Sequence, residues 1–354
     1  MAKKKKKLRV AVIGCGERAK LHLAIAAADP EVRLVACCDI DKKRAKEAAA
    51  KYKIRAYTDF HKMVRRSLFR RRVDAVHICL PHHLHSGVAN YCFAKGIHVL
   101  SEKPMATDLE SAERAVRYAE LTDKRYGVLF PQRSGAPATL VKEALLSGSL
   151  GKILSVRSVL AWSYPESYYT DSTWRGTWER SGGGVVIDRA IHQIDLVTWL
   201  VGSEVASASC SMANRSHPTV KVEDSAEGLI TYQNGVQYSF YCMNNYVNDA
   251  PAEIHIACEL GDVTLGYESA TVEYHDGRRE TARAASPDAC VAEQIHQFYR
   301  ACLGEEQLQM SGAAALATHR LVLSLYEAAR ERGIHLVGRE NETVPPANGK
   351  LWNY

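Results

Sequence analysis

The sequence predicts an α/β protein of two domains, with a doubly wound parallel sheet in residues 1–130 and a large, mostly antiparallel open sheet in residues 131–354. Two patterns support this prediction. In the first part, apolar strands at 8–13, 33–38, 73–80, 96–101 and 126–130 alternate with a helix that ends at about residue 28 and with helices at 42–52, 59–68, 86–95 and 108–121, which is typical of parallel sheets. From residue 152 onward, longer strands of alternating polarity replace them.

Length and composition are those of a protein with buried cores. The 354 residues are 46% hydrophobic, which suits two domains. Five lysines at 3–7 supply most of the net charge of +6, and an arginine cluster lies at 65–72. We expect both to be solvated, with no nucleic-acid partner. No apolar run is long enough to cross a membrane, and none resembles a signal peptide. Ten scattered cysteines without CxxC pairs predict free thiols in a cytoplasmic protein.

The first strand is followed at once by a glycine-rich turn. Gly14-Cys15-Gly16-Glu17-Arg18-Ala19 leads from the strand into the helix. In such a strand–GxGxxA–helix unit, the first glycine makes the turn and the second lets the backbone approach a pyrophosphate. The helix amino terminus offers amide groups to the phosphates. The pattern predicts a dinucleotide site at Gly14, Cys15, Gly16, Glu17 and Arg18.

The second strand ends at Asp39, 23 residues after Gly16. A carboxylate at this spacing typically hydrogen-bonds a ribose 2′-hydroxyl group and disfavours a 2′-phosphate, so the sequence favours NAD over NADP. Lys42, Lys43 and Arg44 leave NADP open as the less favoured cofactor. An alternative role for Asp39 is to cap the helix at 42–52.

Two later strands end in loops with polar or constrained residues. One runs into Leu80-Pro81-His82-His83-Leu84-His85, and the other into Glu102-Lys103-Pro104. Ligands of open parallel sheets lie at the carboxyl ends of the strands, so we expect both loops to border the cofactor, with His85 near the nicotinamide. The histidines could also suggest a metal, but no acid or thiol cluster accompanies them. Pro104 constrains the backbone and favours an extended Lys103.

The second part begins with a helix at 137–147. Long strands follow at 153–162, 207–214, 225–233, 237–244 and 252–257, with a hairpin signal at Asn234-Gly235 and closing helices at 288–303 and 312–332. A sheet of this kind needs cover on its outer face, and we expect a homodimer or homotetramer to provide it. The tail at 338–354 either wraps a neighbour or is disordered.

A glycine triplet at 182–184 opens a further helix in this part. Its apolar stripe consists of Ile187, Ile191, Ile194 and Val197, and Gly202 is a stop signal. Asp188 and His192 are four residues apart and so share a face, with Asp195 one turn on. A carboxylate can orient an imidazole and raise its basicity, which suits acid/base catalysis. The spacing also fits a surface hydrogen bond or a metal pair, but no HExxH motif or Cys/His cluster is present, so we predict no metal.

An aromatic loop joins the first long strand to this helix. It contains Tyr164, Tyr168, Tyr169, Trp174, Arg175 and Trp178. Aromatic faces stack on the C–H surfaces of sugars, and binding residues concentrate on loops that a rigid scaffold carries. The alternative is that these side chains only pack the loop.

Three motifs in this order carry a resemblance to a known family. They are the Val10–Gly16 segment, Glu102-Lys103-Pro104, and the glycine triplet followed by Asp188, His192 and Asp195. Together they resemble the Gfo/Idh/MocA oxidoreductases, named for glucose-fructose oxidoreductase and inositol dehydrogenase, over residues 8–338. The resemblance implies a Rossmann NAD-binding domain followed by an α/β domain with a large sheet that often serves oligomerisation.

The resemblance also implies catalytic roles for Lys103, Asp188 and His192. His192 would take the proton of a sugar or polyol hydroxyl group as hydride leaves for the nicotinamide. Lys103 would hydrogen-bond the same oxygen, and Asp188 would orient the site. This chain has Pro131-Gln132-Arg133 where many members have an asparagine-arginine pair, and Gln132 would replace that asparagine in binding substrate.

The expected function is therefore NAD-dependent oxidation of a secondary hydroxyl group of a sugar, glycoside or cyclic polyol, with C3 of a glucosyl unit as one option. The expected substrate contacts are Lys103, Gln132, Tyr164, Tyr168, Trp174, Arg175, Asp188 and His192; the cofactor contacts add Leu80, Pro81, His85, Glu102 and Lys103 to those of the glycine loop and Asp39. One alternative is an enzyme that keeps NAD bound and cleaves a glycoside through transient oxidation. Another is a non-catalytic NAD or sugar sensor.

Overall fold

The computed structural model describes residues 7–70, 73–286, 288–332 and 335–336. It contains two compact units. The first comprises Met1–Ala106, Glu110–Leu129 and Ala292–Leu316, and the second comprises Thr107–Leu109, Phe130–Val291 and Ala317–Tyr354. The lysine run at 3–6, the arginine side chains of 66–72 and the tail at 338–354 lie outside the described residues.

The first unit contains a six-stranded parallel sheet in the order β3-β2-β1-β4-β5-β6, which confirms the predicted doubly wound fold. The strands are β1 (Leu8–Ile13), β2 (Val32–Cys38), β3 (Arg55–Tyr57), β4 (Ala75–Ile78), β5 (His98–Ser101) and β6 (Tyr126–Val128). The strand order reverses between β1 and β4, where Ile13 pairs with Ile78. Open parallel sheets bind their ligands at such a reversal, beyond the carboxyl ends of the strands.

Five helices connect these strands: α1 (Glu17–Ala28), α2 (Lys42–Tyr52), α3 (Phe60–Arg70), α4 (His85–Ala94) and α5 (Leu109–Leu121). Each predicted helix of this region is present to within a few residues. Strand β3 was not predicted, because Arg55 and Ala56 are exposed and the strand has no apolar run.

The second unit contains a nine-stranded sheet in the order β14-β13-β12-β11-β7-β10-β9-β8-β15. The strands are β7 (Ile153–Ala161), β8 (Val205–Asn214), β9 (Ser225–Tyr232), β10 (Gln237–Met243), β11 (Glu253–Cys258), β12 (Gly261–Leu265), β13 (Ser269–Tyr274), β14 (Arg279–Arg283) and β15 (His335–Leu336). Only β7 with β10 and β8 with β15 pair in parallel, so the predicted mostly antiparallel sheet is confirmed. The predicted hairpin joins β9 to β10, and Gly235 there has φ of +87°.

The remaining helices are α6 (Ala136–Leu146), the short α7 (Glu166–Thr170) and α8 (Trp178–Ser181), α9 (Ile191–Val201), α10 (Ala289–Leu303) and α11 (Gly312–Arg332). Helix α9 lies against the sheet, where the Gln193 amide donates to the carbonyl groups of Val159 and Glu253. Helix α9 ends at Gly202, as predicted, and Gly202 has φ of +65°.

The prediction of one continuous α-helix through Asp188 and His192 is wrong. Val186–Ala190 forms a π-helical turn, and the amide of Ile191 donates to the carbonyl oxygen of Val186, five residues back. Asp188 therefore lies in the π-helical turn and His192 lies in the first turn of α9. A π-helical turn adds a residue to the helical repeat, and such turns occur often at functional sites.

None of the described helices is long and apolar enough to cross a membrane. All ten cysteines are described, and all are free thiols. Among the described residues, no group of three or more His, Cys, Asp or Glu side chains is arranged to hold a metal ion.

Candidate active site

Gly14 makes the tight turn after β1. Its φ is +94°, which L-residues rarely adopt, and a Cβ atom there would lie 2.1 Å from the carbonyl oxygen of Cys79. Cys79 follows β4, and its amide donates to the carbonyl oxygen of Ile13 at 2.8 Å, so the turn lies directly against the strand across the reversal of the sheet. The turn therefore requires glycine for both backbone conformation and space.

Gly16 fulfils a different requirement. Apart from its two neighbours in the chain, no described residue has an atom within 4 Å of the position that a Cβ of Gly16 would occupy, and the φ of Gly16 is −72°. It precedes α1 without providing a side-chain cap, so the amide groups of the first turn remain directed at the space beyond the loop. Open space above a helix amino terminus fits the pyrophosphate of a dinucleotide. The Glu17 and Arg18 side chains are exposed there, and Cys15 is buried.

Asp39 lies beside this loop. One carboxylate oxygen accepts the amide of Cys15 at 2.7 Å, and the other accepts the amide of Asp41 at 2.8 Å. The cap of α2 is Asp41, which accepts the amides of Lys43 and Arg44, so the alternative role for Asp39 is wrong. Each carboxylate oxygen keeps acceptor capacity for a ribose hydroxyl group. The next residue, Ile40, is 95% exposed, which provides an apolar surface that the motif did not indicate.

His85 connects the two other loops of the first unit. Its Nδ1 lies 2.7 Å from the carbonyl oxygen of Pro104, and its Nε2 lies 2.7 Å from that of Leu80. Burial lowers the pKa of His85 despite these two carbonyl groups. Leu80 and Pro81 are half-buried. The His85 ring therefore lies between the loop after β4 and the loop that carries Lys103, within hydrogen-bond distance of both.

A buried chain of polar side chains lies behind Lys103. Glu102 accepts from the Arg18 guanidinium and lies 3.1 Å from Nε2 of His22, whose Nδ1 is 3.0 Å from Nδ1 of His77. Burial alone would raise the pKa of Glu102, but the charge of Arg18 and the bond to His22 hold it well below its usual value. Glu102 is therefore an ionised carboxylate next to half-buried Lys103, whose peptide bond to Pro104 is cis. The contact between His22 and His77 could not be predicted from the sequence, because 55 residues separate the two histidines.

In the second unit, the aromatic loop packs on Asp188. The Tyr168 hydroxyl group donates to the Asp188 carboxylate at 3.0 Å and accepts from Nη2 of Arg189 at 2.7 Å. Nε of Arg189 lies 3.3 Å from the same carboxylate. The Arg189 guanidinium also stacks on the Tyr164 ring, 4.5 Å from its centroid. Asp188 is thus held by one tyrosine and one arginine.

The other aromatic residues of the loop divide into two groups. The Arg175 guanidinium lies over the Tyr168 ring at 4.2 Å and near the Trp174 ring at 5.2 Å, so these three form one stack. Tyr169 is buried with Val220 and Val222 in an apolar cluster, against which Tyr164, Tyr168 and Trp178 pack. Tyr168 belongs to both groups, because it packs on this cluster, stacks with Arg175 and donates to Asp188.

His192 is half-buried at the start of α9, and its ring lies edge-on to that of Phe130 at 5.9 Å. Gln132 belongs to a 3₁₀ turn near that phenylalanine, and its carbonyl oxygen Oε1 is buried without a hydrogen-bond donor among the described residues. A buried amide oxygen of this kind is suited to accept from a ligand hydroxyl group.

Asp195 is a structural residue. It is 1% exposed and accepts from both Nε and Nη2 of Arg133, at 2.7 and 2.5 Å. The Thr318 hydroxyl group donates to it as well, at 2.7 Å. These bonds fasten α9 to the 3₁₀ turn that contains Gln132 and Arg133, and to α11.

Glu223 holds the glycine triplet and was missed by sequence analysis. Its carboxylate accepts the amides of Gly184 at 2.9 Å and Val186 at 3.1 Å, and the Tyr326 hydroxyl group at 2.6 Å. Its backbone carbonyl accepts the amide of Val185. A Cβ on Gly184 would lie 1.8 Å from that carbonyl oxygen, so only glycine fits. Burial raises the pKa of Glu223 to about 7, although its hydrogen bonds act in the opposite direction.

Two domain models of known families match the chain. The model described as "Oxidoreductase family, NAD-binding Rossmann fold" (GFO_IDH_MocA) matches residues 8–130, and "GFO/IDH/MocA C-terminal domain" matches residues 139–264.

Named relatives and a solved structure agree with these matches. D-glucoside 3-dehydrogenase of Escherichia coli K12 is 28% identical over 246 residues, 64% of this chain and 68% of that protein. A 1-carboxy-3-chloro-3,4-dihydroxycyclohexa-1,5-diene dehydrogenase of Comamonas testosteroni is 29% identical over 67% of this chain, and the match spans only 59% of that protein. The WlbA dehydrogenase of Bordetella pertussis, solved with NADH and UDP-GlcNAcA, has a TM-score of 0.81 and 28% identity over 93% of this chain and 98% of its own.

The two loop glycines provide a matched pair of variants. We expect Gly14→Ala to lower the free energy of unfolding by at least about 2 kcal/mol, because of its φ and the contact with Cys79. Gly16→Ala should change it by less than about 1 kcal/mol but weaken NADH binding at least tenfold, because the methyl group enters the space of the pyrophosphate. Urea unfolding and NADH fluorescence titration measure the two effects. Unchanged NADH affinity in Gly16→Ala would contradict the predicted pyrophosphate site.

The buried Glu223 carboxyl group should make stability depend on pH. Its pKa in the folded protein, about 7, is above that of an unfolded chain, so this group lowers the free energy of unfolding as pH rises from about 4.5 to about 7, by roughly 1–3 kcal/mol. Glu223→Gln removes this titration. The amount by which the free energy of unfolding of this variant lies below that of wild type should therefore be smaller at pH 8 than at pH 5. Urea unfolding at the two pH values measures this difference.

Glu227→Gln, at an exposed residue, is the control for Glu223→Gln. A plot of its free energy of unfolding against pH should run parallel to that of wild type. Parallel curves for Glu223→Gln and wild type would show that Glu223 does not titrate in this range.

Proposed function

Because the chain belongs to the Gfo/Idh/MocA oxidoreductase family, we propose that it oxidises a secondary hydroxyl group of a sugar, glycoside or cyclic polyol, with NAD as the hydride acceptor. The observation that carries the proposal is the arrangement at Asp188, which is bound by Tyr168 and Arg189 under an aromatic loop and followed by His192 at the start of α9. The glycine loop of the first unit fits the cofactor, as the open space above Gly16 indicates.

The proposed reaction removes a hydride and a proton from one carbinol. When bound, NAD supplies the nicotinamide that takes the hydride with the electron pair of the C–H bond. His192 accepts the hydroxyl proton, which leaves a ketone. Lys103 donates a hydrogen bond to the oxygen as negative charge develops on it. Asp188 orients the site, and its bonds to Tyr168 and Arg189 keep its carboxylate in one position.

The proposed cofactor contacts are those of the sequence analysis, and Ile40 adds an exposed apolar side chain beside the ribose position of Asp39. The proposed substrate contacts are Gln132, Tyr164, Tyr168, Trp174 and Arg175. A D-glucoside 3-dehydrogenase among the relatives supports C3 of a glucosyl unit as the carbon that is oxidised.

We also propose that the chain forms a homodimer or homotetramer through the outer face of its large sheet. On β7, β9 and β10 one side of the sheet is buried, as Tyr238 and Ile230 show. The opposite side exposes Val159, 42%, and Leu229, 38%. Size-exclusion chromatography with light scattering should give a mass of two or four chains, and a monomer would refute this proposal.

The proposed reaction can be tested with a panel of sugars, glycosides and inositols. For each compound, the absorbance of reduced nicotinamide and the formation of product are measured. Steady formation of NADH with one substrate class is the expected result. A product formed without net NADH would instead indicate a cofactor that is recycled in the site. No cofactor reduction and no product with any member of the panel would refute the proposal.

With the substrate identified, we expect Lys103→Met and His192→Ala each to lower kcat by roughly 10²–10⁴-fold while NADH still binds, because each removes one group from the reacting oxygen. The control variant is His255→Ala. His255 lies on β11 and has no proposed role in the reaction, so this variant should have a kcat close to that of wild type. Turnover near that of wild type in both site variants would refute the assignment.

A further inference from the structure

We propose that the substrate of this chain carries an anionic group, a carboxylate or a phosphate, and that the Arg175 guanidinium binds it. This inference rests on the proposed function, and it narrows the substrate class from sugars and polyols in general to acidic ones.

Arg175 is held in a fixed orientation. Its guanidinium lies 4.2 Å from the centroid of the Tyr168 ring and 5.2 Å from that of Trp174. Within the described part of the chain, the guanidinium makes one hydrogen bond, from Nη1 to the carbonyl oxygen of Tyr168, which is long at 3.5 Å. Stacking restrains the plane of a guanidinium, and a guanidinium with a fixed plane suits a planar, two-oxygen acceptor.

The charge of Arg175 is not balanced by the described part of the protein. No carboxylate oxygen of the described residues lies within 4.0 Å of its guanidinium nitrogens. Its Nε is buried and has no hydrogen-bond acceptor among those residues. The neighbouring Arg189 differs, because Asp188 pairs with it at 3.3 Å. A partly buried cation without a counter-ion is costly, and an anionic ligand removes that cost.

Tyr168 places this cation close to the proposed reaction. Its ring contacts Arg175, and its hydroxyl group donates to Asp188. Around this one ring there are two guanidinium groups, of Arg175 and Arg189, and one carboxylate, of Asp188. The cluster therefore carries a net charge of about +1 before ligand binds. A sugar with an acidic substituent would bring that charge to zero.

Equilibrium binding to wild-type protein saturated with NADH tests the proposal. The probes are methyl β-D-glucuronide, glucose 6-phosphate and methyl β-D-glucoside, which carry a carboxylate, a phosphate and no charge. We expect one of the two anionic probes to bind at least tenfold more tightly than the neutral probe, and that probe identifies the anion. We expect Arg175→Met to reduce the anionic-to-neutral affinity ratio at least tenfold.

Two further variants keep the test decisive. Arg175→Lys keeps the charge but loses the planar edge. Its anionic-to-neutral affinity ratio should therefore lie between those of wild type and Arg175→Met. Arg180→Met removes an exposed arginine of the same loop and should leave the ratio unchanged. A wild-type protein that binds the neutral probe as tightly as both anions, or an Arg175→Met ratio equal to that of wild type, would overturn the proposal.

The outcomes also separate this inference from the proposed function. Oxidation of the neutral glycoside with no preference for an anion would overturn the inference alone. Arg175-dependent binding of an anion, without oxidation of any compound in the panel, would support the anion site and overturn the proposed oxidation.

Discussion

A buried carboxylate determines the geometry of the second unit. Glu223 accepts the amides of Gly184 and Val186, and its own carbonyl accepts that of Val185. Three consecutive amides at the start of the helical segment, which have no acceptor within the helix, are thereby bound to another segment of chain. The π-helical turn that carries Asp188 begins at this point, and Tyr326 fixes it further by donating to Glu223 and accepting from the Ile187 amide. The position of Asp188 depends on this constraint.

Carboxylates also bind backbone amides of loops in the first unit and elsewhere in the second. Asp39 binds the Cys15 amide within the glycine loop, and Asp224 binds the amides of Arg215 and Ser216. In each case a carboxylate at or beside a strand end holds the backbone of a loop. Charge-assisted bonds to amide groups are stronger than neutral ones, so a loop can keep one conformation without a large apolar core of its own.

The features that depend on local chemistry could be predicted from the sequence. The strand–glycine–helix unit, the Gly235 hairpin and the stop at Gly202 all follow from what glycine permits at one position. Strand β3 could not be predicted because it has no buried run, and the π-helical turn could not be predicted because an apolar stripe does not distinguish it from an α-helix. Glu223, His22 and His77 could not be found, since their partners lie far away in sequence and a lone acid or histidine gives no local signal.

The π-helical turn has a consequence for insertions and deletions. A single-residue deletion between 186 and 190 would convert the turn into ordinary α-helix, which by itself is favourable for the backbone. Because a π-helical turn holds one more residue than an α-helical turn, this deletion would leave the rotation of α9 relative to the segment anchored at Glu223 nearly unchanged. A deletion between His192 and Asp195, where the repeat is already α-helical, would instead rotate Asp195 by about 100° about the axis. The second unit can therefore tolerate the loss of a residue from the π-helical turn more easily than the loss of one from α9.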